Sequence, residues 1–266
     1  MTIIEATEVV KRFGDLTAVD GISFNVEEGE IFAFLGPNGA GKSTTISMLT
    51  TMLRPTSGAL SLNGFDVIRQ QKAARKSFGI VFQDPALDEE LTAYENMVLH
   101  AVLYAVPKKE RAARIRELLE LLDLWDRRDS YVKTYSGGMR RRLEIARGLM
   151  HHPKILFLDE PTLGLDTQTR NLLWDYVTKL RDNEGMTIFF TTHYLDEAEA
   201  VADRIAIIDH GNIIATGTTR ELADQTNTQT LEDAYLHLTG TGVRDETSLK
   251  NDGLNVRSAL QRNRLR

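Results

Sequence analysis

The chain has 266 residues, 42% of them hydrophobic and 26% charged, enough to bury a large core as one big domain or two small ones. Its net charge of −6, from 32 basic and 38 acidic residues, gives no general attraction for nucleic acid, and the absence of cysteine excludes disulfides and thiolate chemistry. The longest apolar runs, such as Ile31–Leu35 and Ile155–Leu158, fall far short of the ~18 residues of a spanning helix, and Met1-Thr2-Ile3-Ile4-Glu5 lacks a basic start, so neither a membrane span nor a signal peptide is expected.

Short β-rich runs come first, Ile3–Val10 and Gly21–Val26, punctuated by turn signals at Gly14-Asp15 and Glu28-Gly29, and predict an antiparallel sheet. From Ile31 apolar strands alternate with helical stretches, the texture of a parallel sheet covered by helices. Between about Leu91 and Arg128, helical spacing of Ile115, Leu118, Leu119, Leu122 and Leu124, with Pro107 separating two helices, predicts a helical subdomain over about 88–150. Strands follow at Ile155–Leu158 and Ile188–Phe190, and Ile205–Ile208 and Ile213–Ala215 flank His210-Gly211-Asn212, a hairpin signature. The core is expected over 1–217, a helical extension over 218–240, and a polar, mobile tail over 241–266, with six basic and three acidic residues.

Gly36-Pro37-Asn38-Gly39-Ala40-Gly41-Lys42-Ser43 fits G-x-x-x-x-G-K-[ST] between an apolar strand and the helical Thr44–Leu53, which Pro55 stops. Glycines let backbone N–H groups turn inward around phosphate oxygens, and the helix N-terminus adds partial positive charge. Lys42 is placed to neutralise β/γ oxygens and Ser43 to ligate Mg2+, with Thr44 next in the same turn. The expected fold is therefore α/β, a P-loop NTPase core with a mostly parallel sheet and flanking helices. It carries an N-terminal antiparallel β subdomain and an inserted α-helical subdomain.

Asp159-Glu160-Pro161 closes the strand Ile155–Leu158, where open α/β sheets bind ligands. Pro161 is expected to keep Glu160 extended, pointing the two carboxylates to opposite sides. Asp159 then serves Mg2+ and Glu160 orients or deprotonates the attacking water. A surface helix-capping acid pair is the bland alternative, disfavoured after a buried strand. His193 closes the strand Ile188–Thr192 and is a candidate γ-phosphate contact, although a lone histidine after a strand is more often structural.

In this order Gly36–Thr44, Gln83, Tyr135-Ser136-Gly137-Gly138-Met139, Ile155–Glu160, Asp166 and His193 resemble the ATP-binding-cassette family, the resemblance covering nearly all of Ile3–Gly217. Ser136, Gly137 and Gly138 precede the helical Met139–Leu149, giving a second anion-binding helix N-terminus. The resemblance implies that this signature acts in trans, in a homodimer or a dimer with a similar ATPase, against ATP on the opposing phosphate loop. It further implies that Phe13 stacks on adenine, that Gln83 senses Mg2+ and the attacking water, that Asp166 lies at the dimer contact and that His193 is the switch histidine. It also implies a cytoplasmic protein on the cytoplasmic face of the cell membrane, docked through Gln83–Glu95 and the helical region onto a separate multi-span permease. Pro85, Leu87, Leu91 and Tyr94 are candidate apolar contacts there.

Tyr135 and Met139 depart from the commoner leucine and glutamine, and Leu163-Gly164-Leu165-Asp166 lacks a frequent Ser-Ala start. The two variants and the run Leu231–Gly240 are similar to the ATPase subunits of daunorubicin-resistance-type exporters, which implies ATP hydrolysis driving export of drugs or other hydrophobic compounds. A soluble ATPase acting on nucleic acid or ribosomes is the alternative, raised by Arg140-Arg141-Arg142 and Arg147. The chain lacks both the coiled-coil insertion and the second tandem cassette of such relatives. Three successive helical arginines also spread around roughly 200–300°, and are expected to solvate the surface or meet the dimer partner.

Overall fold

The computed structural model describes residues 1–84 and 86–240; Pro85 and the tail expected over 241–266 lie outside them. The chain forms two compact units, one of Met1–Glu27, Ile31–Gln71 and the segment from Thr191 onward, the other of Glu28–Glu30 and Lys72–Phe190.

In the first unit β1 (Thr2–Phe13) and β2 (Leu16–Glu27) form an antiparallel hairpin across Gly14-Asp15. Both strands are longer than the apolar runs that announce them, because bulges near Glu8 (φ 49°) let polar residues such as Lys11 and Arg12 stay in the ladder. β3 (Ile31–Leu35) is buried at every position, the mark of a parallel strand covered on both faces. It feeds α1 (Lys42–Leu49), which starts two residues earlier and stops four residues sooner than expected; Thr51 turns away at φ 63°, before Pro55. β4 (Ser57–Leu62) and β5 (Phe65–Asp66) complete a sheet of order β2-β1-β4-β5.

The second unit runs from α2 (Gln71–Lys76) through β6 (Phe78–Val81), α3 (Ala93–Leu103), α4 (Lys108–Leu121), α5 (Gly137–Gly148), β7 (Ile155–Asp159) and α6 (Thr167–Glu184) to β8 (Thr187–Thr192). A capping box of Thr92 and Glu95 opens α3, and Pro107 caps α4, so the two helices divide where proline predicts. The strands lie in the order β8-β7-β6, with β6 and β7 parallel and Val81 opposite Leu158. Phe157 meets Phe78 at 5.5 Å and Phe189 at 5.6 Å between ring centroids, tying the three strands through one aromatic cluster.

The chain then returns to the first unit as α7 (Leu195–Val201), β9 (Arg204–Asp209), β10 (Asn212–Gly217), α8 (Thr219–Thr226) and α9 (Leu231–Thr239). β9 pairs in parallel with β3, and with β10 across a tight turn in which His210 (φ 46°) and Gly211 (φ 78°) are both left-handed, the predicted hairpin. A capping box of Thr218 and Glu221 starts α8, and Gly240 (φ 77°) ends α9. No helix among the described residues is long and apolar enough to cross a membrane.

Candidate functional site

The phosphate loop is built by close approach. A Cβ at Gly36 would lie 2.2 Å from the Ile208 carbonyl oxygen, and Gly41 sits at φ 107° with its Cβ position 2.7 Å from the Ala18 oxygen, so no side chain fits at either place. Between these fixed ends, Asn38 and Gly39 are exposed at the tip while Ala40, Gly41 and Lys42 are buried. The Gly41 carbonyl starts α1 by accepting from the Thr45 N–H at 2.9 Å, so the N–H groups of Lys42, Ser43 and Thr44 precede the ladder of the helix, at its positive end. Lys42 Nζ donates to the carbonyls of Gly36 at 2.7 Å and Pro37 at 3.1 Å. Ser43 is exposed and Thr44 half-buried on the first turn of the helix.

His193 lies against this loop through the backbone. Gly36 N–H donates to the Thr192 carbonyl at 3.2 Å. The Thr192 hydroxyl accepts from Tyr194 N–H at 3.0 Å and donates to the buried Glu197 carboxylate at 2.8 Å. Thr192 and Glu197 thus fix the peptides on both sides of His193. Sequence reading passed them over, although a hydroxyl ahead of a candidate histidine and an acid one helical turn beyond it are a legible pairing. Phe13 is half-buried at the end of β1, with Lys11 Nζ 4.9 Å from its ring centroid.

In the second unit Asp159 and Glu160 are both buried, 6% and 7% exposed, at the end of β7. The expected extended conformation of Glu160 is not what forms: its φ is 45°, left-handed, so the strand ends at Asp159 and the chain turns sharply into Pro161. A left-handed non-glycine residue costs of order 1–3 kcal/mol and persists only where surroundings over-determine it. The surrounding group is Arg141. Its Nε donates to the Pro161 carbonyl at 2.7 Å, and its Nη2 to the carbonyls of Glu160 at 3.0 Å and Asp159 at 3.2 Å.

This corrects the expectation for the three arginines. Only Arg140 and Arg142 reach outward, to Glu89 and to the Leu122 carbonyl, while Arg141 is buried and its desolvated guanidinium has a lowered pKa. A partial signal was present in the spacing of Arg141 and Glu144, three residues apart on one helical face and paired at 3.1 Å.

The signature helix also begins earlier than expected. Ser136 is the N-cap of α5, its Oγ accepting from Met139 N–H at 3.3 Å, so Gly137 and Gly138 lie inside the first turn, where N–H groups have no intrahelical acceptor. As an acceptor in this cap, the Ser136 hydroxyl can still donate its own proton. Gly138 is fixed by packing, since a Cβ there would meet Thr169 Cγ2 at 2.3 Å, whereas at Gly137 the nearest contact is an ordinary 3.7 Å. Exposed Asp166 caps α6, accepting from Thr169 N–H at 2.9 Å and its hydroxyl at 2.7 Å, and these bonds hold its pKa down. Gln83 is exposed in the loop after β6.

Taken unit by unit, the oxygen groups a cation could use are the exposed Ser43 hydroxyl in the first, and the exposed Gln83 amide and the buried Asp159 carboxylate in the second. All are oxygens, and no cluster of three His, Cys, Asp or Glu residues occurs among the described residues. Such a set suits Mg2+, which keeps waters and substrate phosphates in its shell and needs only one or two protein carboxylates.

The comparisons with known proteins bear on the family and the fold. The model of the ABC transporter family matches residues 19–163. A daunorubicin/doxorubicin resistance ATP-binding protein of Streptomyces peucetius is 48% identical over 219 residues, 82% of this chain and 66% of that protein. A linearmycin resistance ATP-binding protein of Bacillus subtilis is 40% identical over 243 residues, 91% of this chain and 76% of that protein. The chain thus spans about two thirds to three quarters of these relatives. Among solved structures, a dimeric ATP-binding cassette in a post-hydrolysis state with ADP and Pi superposes with a TM-score of 0.73 at 28% identity, over 81% of this chain and 98% of that one. The family model matches more than half of the chain, relatives of 40–48% identity carry the same kind of name and the solved cassettes share its fold, and the chain belongs to the ABC transporter family.

Proposed function

We propose that this protein is the ATP-binding and ATP-hydrolysing subunit of an exporter of drugs or other hydrophobic compounds, working on a separate membrane-spanning partner. The observation that carries the reading is the pair of glycine-rich helix N-termini, α1 behind Gly36–Gly41 and α5 behind Ser136, each of a kind suited to anions. The relatives named for drug resistance support the exporter assignment, and the dimeric cassette with ADP and Pi supports two such subunits closing on nucleotide.

In this reading Lys42 and the loop N–H groups bind the β- and γ-phosphates, and Phe13 stacks on adenine. Ser43, Gln83 and Asp159 supply oxygen donors to Mg2+, which neutralises charge developing on the phosphate oxygens. Glu160 accepts a proton from the attacking water, and His193, fixed through Thr192, contacts the γ-phosphate. Ser136, Gly137 and Gly138 contact ATP held by the partner subunit, with Asp166 beside that contact. Closure excludes water; hydrolysis removes the bridging phosphate and lets the pair reopen. We place the protein on the cytoplasmic face of the membrane, with residues 1–217 as the cassette and 218–240 as its helical extension.

The test is affinity purification from membranes in mild detergent. Co-purification of a multi-span membrane protein with ATPase activity is expected; recovery with nucleic acid or ribosomes in its place would reject the exporter assignment.

A further inference from the structure

We propose that Arg141 is a positioning residue for hydrolysis, holding Glu160 in its left-handed conformation and fixing the Gln83 loop to the same helix. The proposal rests on the reading of Glu160 as the group that activates water. Three consecutive carbonyls, those of Asp159, Glu160 and Pro161, accept from one buried guanidinium at 3.2, 3.0 and 2.7 Å. The same guanidinium donates through Nη1 to the carbonyl of Phe82, the residue before Gln83, and to Glu144 Oε2 at 3.1 Å. Glu144 Oε1 in turn accepts from Ala86 N–H at 2.8 Å, and Arg147 Nη1 donates to the Ala86 carbonyl at 2.8 Å. Both ends of Phe82–Ala86 are therefore pinned to α5 by residues one helical turn apart, while the exposed Gln83 side chain is left to its ligands.

Only arginine fits this task. Its five N–H donors lie in a rigid planar fork, and here the fork spans a strand end and a loop at once; a lysine ammonium offers three donors at one point. Because α5 begins at the Ser136 cap, a displacement of that helix by whatever docks on its N-terminus is passed to Glu160 and to the Gln83 loop through the same guanidinium. The carboxylate and the loop are thereby set together.

The decisive experiment compares Arg141→Lys, Arg141→Gln and Glu160→Gln in the full chain with ATP and Mg2+, measuring nucleotide affinity and turnover per bound nucleotide. Arg141→Lys should lower kcat about 10-fold and Arg141→Gln about 100-fold, with KM for ATP changed less than about 3-fold. In the Glu160→Gln background, Arg141→Lys should cause no further fall, because both changes disable one step. An arginine with a purely structural role would reduce the fraction of chains that bind ATP while leaving turnover per bound site intact, and that result overturns the proposal. Should Arg141→Gln not fold, Arg141→Lys, which keeps the charge, decides by the same criterion. Normal turnover in Glu160→Gln overturns the reading of the site and this proposal with it; an inactive Glu160→Gln beside a fully active Arg141→Lys overturns the positioning role alone.

Discussion

In the first unit, Lys42 reaches the carbonyls of Gly36 and Pro37 from six and five residues away, and the glycines that shape the loop belong to the same short stretch. In the second unit, the backbone of Glu160 is held by Arg141 from 19 residues away, and the same guanidinium spans 59 residues to Phe82. The lysine and the glycines of the first half-site come from one short stretch, although the walls that exclude side chains at Gly36 and Gly41 are Ile208 and Ala18, distant in sequence. The other exists only once a helix, a strand end and a loop have come together, so it should be the more sensitive of the two to packing changes far from the chemistry.

The largest effect expected is on turnover. If Glu160 is the proton acceptor as proposed, Glu160→Gln should lower kcat at least about 100-fold while ATP affinity stays at the parental value, measured by steady-state hydrolysis and equilibrium titration. Lys42→Ala should act on the other half, weakening nucleotide binding by about 2 kcal/mol, or about 30-fold in Kd, in the same titration. If the two changes had the same kinetic signature, the division into a binding half and a hydrolytic half would fail.

Smaller differences sharpen the contrast within the signature helix. Gly138→Ala drives a methyl to 2.3 Å from Thr169 Cγ2 and should cost about 2 kcal/mol in denaturant unfolding. Gly137→Ala meets nothing closer than 3.7 Å and should change stability by less than about 0.5 kcal/mol, yet reduce turnover if this glycine faces the partner's nucleotide.

The smallest effect is acid sensitivity. Burial, reinforced by the charge of Arg147, pushes His100 from 6.5 down to about 4. The unfolded chain therefore takes up that proton first, so stability is complete above about pH 6.5 and is lost as pH falls toward about 4. His151, lowered chiefly by burial and stacked on Tyr104 at 4.0 Å, adds in the same direction. Hydrogen exchange at pH 5 should show α3 and α5 loosening before Gly36–Gly41, and His100→Gln should flatten the pH dependence of melting.

What the sequence made legible follows the same division. The phosphate loop, the buried strands, the His210-Gly211 hairpin and the Pro107 break are patterns a few residues long, and each appears where its periodicity or turn chemistry placed it. The lengths of β1 and β2 were hidden because bulges carry polar residues into the ladder. Arg141 was misread because charge is ordinarily a surface signal, and its burial is compensated mostly by carbonyls distant in sequence, with Glu144 as the one near partner. Glu160 was misread because a residue before proline favours extended backbone, a local preference that these long-range hydrogen bonds override. Asp166 stands between: its cap to Thr169 is local and readable, and that bond occupies lone pairs a partner subunit would have to share.

The two hydrogen bonds from Lys42 to the carbonyls of its own loop act as a latch. A ligand that draws the ammonium outward must replace two carbonyl acceptors, a buried one at 2.7 Å and a part-buried one at 3.1 Å, and a single weak acceptor cannot do that. Clustered phosphate oxygens can. If Lys42 binds phosphate as proposed, the loop should favour polyphosphates over nucleosides and monophosphates before any contact with the base is made, because one lysine must first be bid away from its neighbours.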